Sequence, residues 1–262
     1  MARYQIILAY DGSGFFGSQR QATAPTVQSK LEKALYRLGW QGSSVLLAGR
    51  TDSGVHASGQ VAAFDMQWNH APDDLLKALN SNLPAEMSVS AVKPVRDDFH
   101  PRFDAVSRRY RYRIYCQPVR DPLRERYAWR QWPLLNGGAL QDAAKFLIGK
   151  HDFAAFGTPP RPGNSTVRAV TEAVWRSCPG KVPGTVQDGQ DVLELDEWYF
   201  EVSADAFLYH MVRRLVYVQV AVGQGRFPAQ VVSDLLEGRS SKLPAGLAPA
   251  NGLTLVEVTY VE

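Results

Sequence analysis

The stretch GRTDSGVH, residues 49–56, raises the question of what its one carboxylate is for. Asp52 lies between Gly49 and Gly54, with apolar runs at Val45–Ala48 and Val61–Phe64 on either side. Glycines around a short polar stretch let a chain bend sharply between two strands. A carboxylate presented on such a bend suits nucleophilic or acid–base chemistry, and the same residues also suit a plain turn. Asp52-Ser53-Gly54 matches the aspartic-protease triplet, but those enzymes need two carboxylates sharing one proton. No second D-[ST]-G occurs in the 262 residues, and Arg50 beside it would disturb a shared-proton pair.

A second group of residues is SRRYRYRIY, Ser107 to Tyr115. In a strand, Tyr110, Tyr112 and Ile114 share one face and Arg109, Arg111 and Arg113 the other. Rings on one side and guanidinium groups on the other suit bases and phosphates, and equally suit aromatic packing beneath solvated cations. HMVRR, His210 to Arg214, adds an arginine, Arg213, beside the buried stripe of a helix; a snorkelling surface arginine is the plain alternative. GSGFFG, Gly12 to Gly17, has the spacing of a dinucleotide loop, yet Pro25 and a polar segment delay the next helix to about Thr26. Without a helix N-terminus directly after the last glycine, the pattern is a loop.

Elements able to hold these groups follow from hydrophobic periodicity. Strands are predicted at Tyr4–Tyr10, Ser44–Ala48, Gln60–Phe64 and Met87–Ala91. Helices are predicted after Thr26, as N-cap, and from Pro72, with Asp73 and Asp74 in the first turn. The order β-α-β-β-α-β is the ferredoxin-like plan of the RRM module. A looser copy follows. Strands are predicted at Arg108–Tyr115, Val167–Trp175, Val192–Val202 and Gly252–Val261. The helical stripes are Leu140–Leu147, Leu208–Val222 and Val231–Leu236, and a Pro/Gly-rich loop spans Cys178–Asp191. The fold class is therefore α+β, in two RRM-like halves, residues 1–105 and 106–262.

Bulk composition narrows the function classes. Apolar residues make up 45% and charged residues 21%, as in globular proteins. No stretch approaches the ~18 apolar residues of a membrane span, and the N-terminus lacks the apolar core of a signal peptide. Two cysteines form neither a disulfide framework nor a metal-ligand spacing, so a cytoplasmic location is expected. The absence of a zinc motif argues against a deaminase. Net charge is +3, but ten of the 21 arginines lie between Arg96 and Arg130 with only five acids. Arginine makes bidentate bonds to phosphate and stacks on bases, which suits a nucleic-acid partner, and a solvated basic face fits the charge equally.

Four stretches, AGRTDSGVHASGQVAAF, DFHPRFDAVSRRYRYRIY, HDFAAFG and FLYHMVRR, together resemble the tRNA pseudouridine synthase A family in order and spacing. The opening YDGSGFFGSQRQ…TVQSKLEKAL fits the same family. The resemblance implies two RRM-like halves whose sheets join into a mixed sheet, with a cleft between them, and a homodimer. It also implies isomerisation of uridine to pseudouridine at positions 38, 39 and 40 of the tRNA anticodon arm. Carried over by motif, Asp52 is the catalytic aspartate, Tyr110 the tyrosine near the target base, and Arg213 the arginine pairing with the carboxylate. Arg50, with Arg20, Arg108 and Arg109, is expected to hold RNA. Ser18 departs from the family, which has tryptophan there, as do Arg214 and Tyr217, where it has asparagine and glycine.

The reaction breaks the N1–C1′ bond, turns the uracil and rejoins it through C5, so no cofactor or metal is required. A carboxylate can act on the sugar, on the ring, or by assisting elimination. A target in a paired stem implies base flipping. Two other classes fit part of the sequence. A non-catalytic tandem RRM protein would explain folds and arginines without needing Asp52. An aspartate-dependent hydrolase would need a second acid or a metal, for which the sequence has no pattern.

Overall fold

A computed structural model of the chain describes residues 1–181, 194–239 and 245–261. These form two compact units, Met1–Arg109 with Thr254–Glu262, and Tyr110–Leu253.

In the first unit β1 (Ala2–Tyr10) buries Tyr4, Ile6, Leu8 and Tyr10, every second residue, as a strand with one face on a core must. α1 (Val27–Arg37) starts where Thr26 and Ser29 form a reciprocal capping box, which satisfies amides the first turn leaves without partners. Its Val27, Leu31 and Leu35 are fully buried. β2 (Leu46–Leu47) and β3 (His56–Met66) follow; α2 (Pro72–Asn82), with Pro72 in its first turn, buries Leu75 and Leu79; β4 (Met87–Val95) completes the β-α-β-β-α-β order. β1 lies antiparallel between β3 and β4, and β2 antiparallel on β3. The chain's last strand, β10 (Leu253–Tyr260), also belongs here: it runs parallel to β3, with Thr254 opposite His56.

The second unit is built on β5 (Ala105–Cys116), which enters it at Tyr110. The remaining elements are β6 (Trp129–Gln131), α3 (Gly137–Lys145), β7 (Gly149–Asp152), β8 (Val167–Lys181), β9 (Glu194–Ala204), α4 (Met211–Gly223) and α5 (Val231–Leu236). β6 is parallel to β5, and β7, β8 and β9 are successively antiparallel. The class is α+β with a mixed sheet.

Four details differ from the sequence expectation. β2 is two residues long, not five: the Val45 amide donates to the Glu32 carboxylate instead of to a strand, and Ala48, its amide still on the Val61 carbonyl, begins the bend before β3. β6 and β7 were not anticipated, being too short to show a period. α4 starts at Met211, not Leu208: His210 is left-handed at φ 65°, which no right-handed helix contains. The predicted loop at Cys178 begins later, since Cys178–Lys181 pair with β9; its remainder, 182–191, lies outside the described residues.

Candidate active site

Asp52 occupies the bend between β2 and β3, partly exposed, with Arg50 exposed and Thr51 buried. That alternation is what an extended chain gives when residues 49 and 51 face the interior. Both inward positions are held by buried side chains. Gln60, fully buried on β3, donates to the Gly49 carbonyl at 2.9 Å and accepts from the Gly49 amide at 3.2 Å. Thr51 is bound at each of its polar groups. Its amide donates to Ser18 Oγ at 2.8 Å, its carbonyl accepts from the Ser18 amide at 3.0 Å, and its hydroxyl meets Tyr10 OH at 2.8 Å. Burial pushes the Tyr10 phenol above its ordinary pKa, against the opposing effect of its bonds to Thr51 and Gln60.

After Asp52 the chain turns back. The Val55 amide donates to the Asp52 carbonyl at 3.1 Å, and Gly54 takes the third turn position at φ 80°, a left-handed conformation that favours glycine. Phe15 caps the turn: its carbonyl accepts from the Ser53 hydroxyl at 3.2 Å and the Gly54 amide at 3.3 Å. Gly12 lies so close that a Cβ would sit 2.0 Å from the Val55 carbonyl oxygen. Its amide donates to Nδ1 of buried His56 at 3.0 Å. Asp11 Oδ1 lies 3.2 Å from the same nitrogen and accepts from the Ser13 amide. GSGFFG is thus a second loop braced against the Asp52 loop.

In the second unit Tyr110 is 9% exposed, its ring edge-on to Phe207 with centroids 5.1 Å apart. Arg213 lies in the first turn of α4, where its Nε donates to the Ala248 carbonyl at 2.7 Å and its own carbonyl accepts from the Ala248 amide at 3.3 Å. Tyr112, fully buried, donates to the adjoining Pro249 carbonyl at 2.8 Å. Burial holds the Tyr112 phenol well above its ordinary pKa, opposed by the charge of Arg213. Two resembling motifs meet nearby: Thr158, just past HDFAAFG, pairs through its backbone with Tyr209 of FLYHMVRR at 3.0 and 3.2 Å. The departing Tyr217 is accommodated locally. It stacks on Trp129 at 6.1 Å, and Gly246 faces it where a Cβ would lie 2.1 Å from the ring.

The remaining predicted residues are spread over the two units. Arg20 donates to the buried Glu32 carboxylate at 3.0 Å and to the Ser43 carbonyl at 3.2 Å. Arg108 donates to the Ala105 and Arg102 carbonyls, and Arg109 pairs with Glu257 at 2.7 Å. Asp52, Arg50, Arg20, Arg108 and Arg109 lie in the first unit, Tyr110 and Arg213 in the second. Along β5 the tyrosine face is buried as expected, but the arginine face is matched by acids, Glu257 of β10 for Arg109 and acids of β9 for Arg111 and Arg113. Arg111 donates twice to Glu201, at 2.7 and 2.9 Å, while Arg113 lies 3.8 Å from Glu197. Burial pushes the Glu201 carboxyl up, yet its bonds to Arg111 and Arg176 outweigh that and hold it below the ordinary glutamate value. Ser18, Gln60 and Tyr10 were not anticipated as parts of the site; the sole signal was Ser18's departure from the family pattern.

Among the described residues no group of His, Cys, Asp and Glu is arranged to hold a metal, and no helix is long and apolar enough to cross a membrane. Compared with known sequences, residues 6–104 and 143–261 match the profile of the family described as tRNA pseudouridine synthase. The chain is 37% identical to the tRNA pseudouridine synthase A of Limosilactobacillus fermentum, over 99% of this chain and 96% of that protein. It is 38% identical to the enzyme of the same name from Paraburkholderia phymatum (100% and 92% covered) and to that of Chloroflexus aurantiacus (99% and 89%).

Proposed function

The chain belongs to the tRNA pseudouridine synthase family, whose members are isomerases acting on tRNA, and on that premise we propose that it converts uridines 38, 39 and 40 of the anticodon arm with Asp52 as the catalytic carboxylate. The observation that carries this reading is the bend at Asp52. The backbone on either side is fixed by buried hydrogen bonds, while the aspartate is left partly exposed at the turn. A reacting group benefits from such preorganisation, because the geometry is set before the substrate arrives.

The reaction conserves atoms. The N1–C1′ bond breaks, the uracil turns, C5 bonds to C1′, C5 loses its proton and N1 gains one. Asp52 acts as the ionised carboxylate, on the sugar, on the ring or in elimination. Arg213 is assigned the guanidinium that orients that carboxylate, and its bond to Ala248 limits its rotation. Tyr110 is assigned to the freed base, by stacking and by late proton transfer from C5. Arg50, exposed next to the site, is the foremost candidate for a phosphate contact; Arg20, Arg108 and Arg109 are candidates that would have to exchange their present bonds for RNA. Following the family resemblance, the protein is read as a cytoplasmic homodimer working without cofactor or metal.

The test uses tRNA carrying 5-tritiated uridine at positions 38, 39 and 40, one position at a time. Tritium release from these positions, and not from uridines elsewhere in the tRNA, is expected. Release confined to another arm would overturn the site assignment while leaving the isomerase class intact.

A further inference from the structure

We infer that Ser18 is a positioning residue for the reaction, its hydroxyl acting through Thr51 to hold Asp52. The inference rests on the reading of Asp52 as the catalytic group. Ser18 is fully buried, and both of its bonds to the Asp52 loop go to one residue: Oγ accepts the Thr51 amide at 2.8 Å and its amide donates to the Thr51 carbonyl at 3.0 Å. Two backbone bonds to one residue fix its rotation about the chain as well as its place. The Ser18 carbonyl in turn accepts from the Gln28 amide in the first turn of α1 at 2.9 Å. The Asp52 loop is thereby tied, through Ser18, to a capped helix.

In this chain the hydroxyl is the part that acts. Thr51 is buried, so no solvent can take over its amide if Oγ is removed. A buried amide without an acceptor is strongly disfavoured, and the chain relieves it by rotating the Thr51 peptide. Its neighbour in that rotation is Asp52. Small displacements of a reacting group have large effects on rate and little on ground-state binding. A residue that only stabilised the fold would lower the amount of active protein without changing turnover per folded molecule.

The experiment compares the full-length protein with Ser18→Ala, and with Ser18→Cys as a milder variant of nearly the same size. Tritium release gives kcat and KM, filter binding gives tRNA affinity, and hydrogen exchange gives the protection of the Thr51 amide. In Ser18→Ala, kcat is expected to fall about tenfold, with KM and tRNA affinity within about twofold and the Thr51 amide exchanging at least about tenfold faster. Ser18→Cys, whose sulfur is a weak acceptor, should fall between. Unchanged kcat in folded Ser18→Ala overturns the inference, as does equal loss in kcat and affinity. Should Ser18→Ala not fold, Ser18→Cys and the native protein decide: full kcat in the cysteine variant, or a fast-exchanging Thr51 amide in the native protein, overturns it. If Asp52→Asn retains full release, the reading of Asp52 fails instead, whatever Ser18 does.

Discussion

Around Asp52 the supporting groups are neutral and buried: Ser18 and Gln60 grip backbone, and Tyr10 holds the Thr51 hydroxyl. Along β5 the supporting groups are charged and half in water: Arg111 and Arg176 on Glu201, Arg113 and Arg124 on Glu197, and Tyr199 beneath two of the guanidiniums. Both regions present charge, but they differ in what a substitution removes. In the loop the bond of the buried Thr51 amide has no substitute from solvent, so losing it moves the chain. On β5 Arg111 and Arg113 each share an acid with another arginine, and exposed ion pairs are individually weak. Geometry should therefore concentrate in the loop and charge should be distributed over the strand.

This contrast can be broken or sharpened by substitution. Arg213→Ala should lower kcat about a hundredfold or more, since it removes a charge assigned to the reacting carboxylate, and single-turnover release measures it. Tyr110→Phe keeps the ring but loses the hydroxyl; turnover should slow about tenfold to a hundredfold with tRNA binding retained. Normal turnover would remove the proton-transfer role and leave stacking alone. Gln60→Leu orphans both polar groups of Gly49 and should cost about 2 kcal/mol in urea denaturation, more than any single arginine of β5. Arg111→Ala, by contrast, should cost about 1 kcal/mol, because Arg176 continues to neutralise Glu201. Its tRNA affinity should keep nearly the parental salt dependence; a slope smaller by about one would mark Arg111 as a phosphate contact and erase the contrast.

The smallest effect is one of pH. Glu201, held low by Arg111 and Arg176, and Asp65, held low by the bidentate Arg3, both have folded-state pKa values below their ordinary ones. Their stabilisation is fully present above the ordinary values of 4.5 and 3.8 and is lost as pH falls through the depressed folded values. Glu201→Gln should flatten the acid side of the stability curve slightly, while Ser18→Ala should leave its shape unchanged.

Local signals carried a good part of the fold. Thr26 before an apolar 3.6-residue period marked α1, Pro72 with two aspartates marked α2, and alternation marked β1 and the buried face of β5. Elements defined by distant partners were not legible. β10 is a plain alternating strand, and nothing in it names β3, with Thr254 paired to His56, as its parallel neighbour. β6 and β7 are too short for any period. The start of α4 depends on one left-handed histidine, a backbone state that the apolar stripe ignores.

The site divides in the same way. The motif singled out Asp52 as the candidate carboxylate, and the flanking glycines indicated the bend. Its supports were not, because Ser18 reaches Thr51 across 33 positions and Tyr10 reaches it across 41. Pro25 ruled GSGFFG out as a dinucleotide loop, but its bracing role needs the contact of Gly12 with Val55. The arginine face of β5 was visible as charge; its partners depend on the register with β9, which composition does not give.

The central claim is that the carboxylate of Asp52, and not merely its loop, performs the isomerisation. Asp52→Asn keeps size and removes the charge. With tRNA carrying 5-tritiated uridine at positions 38–40, the account predicts that this variant binds tRNA like the parent and releases no tritium. Undiminished release would contradict it.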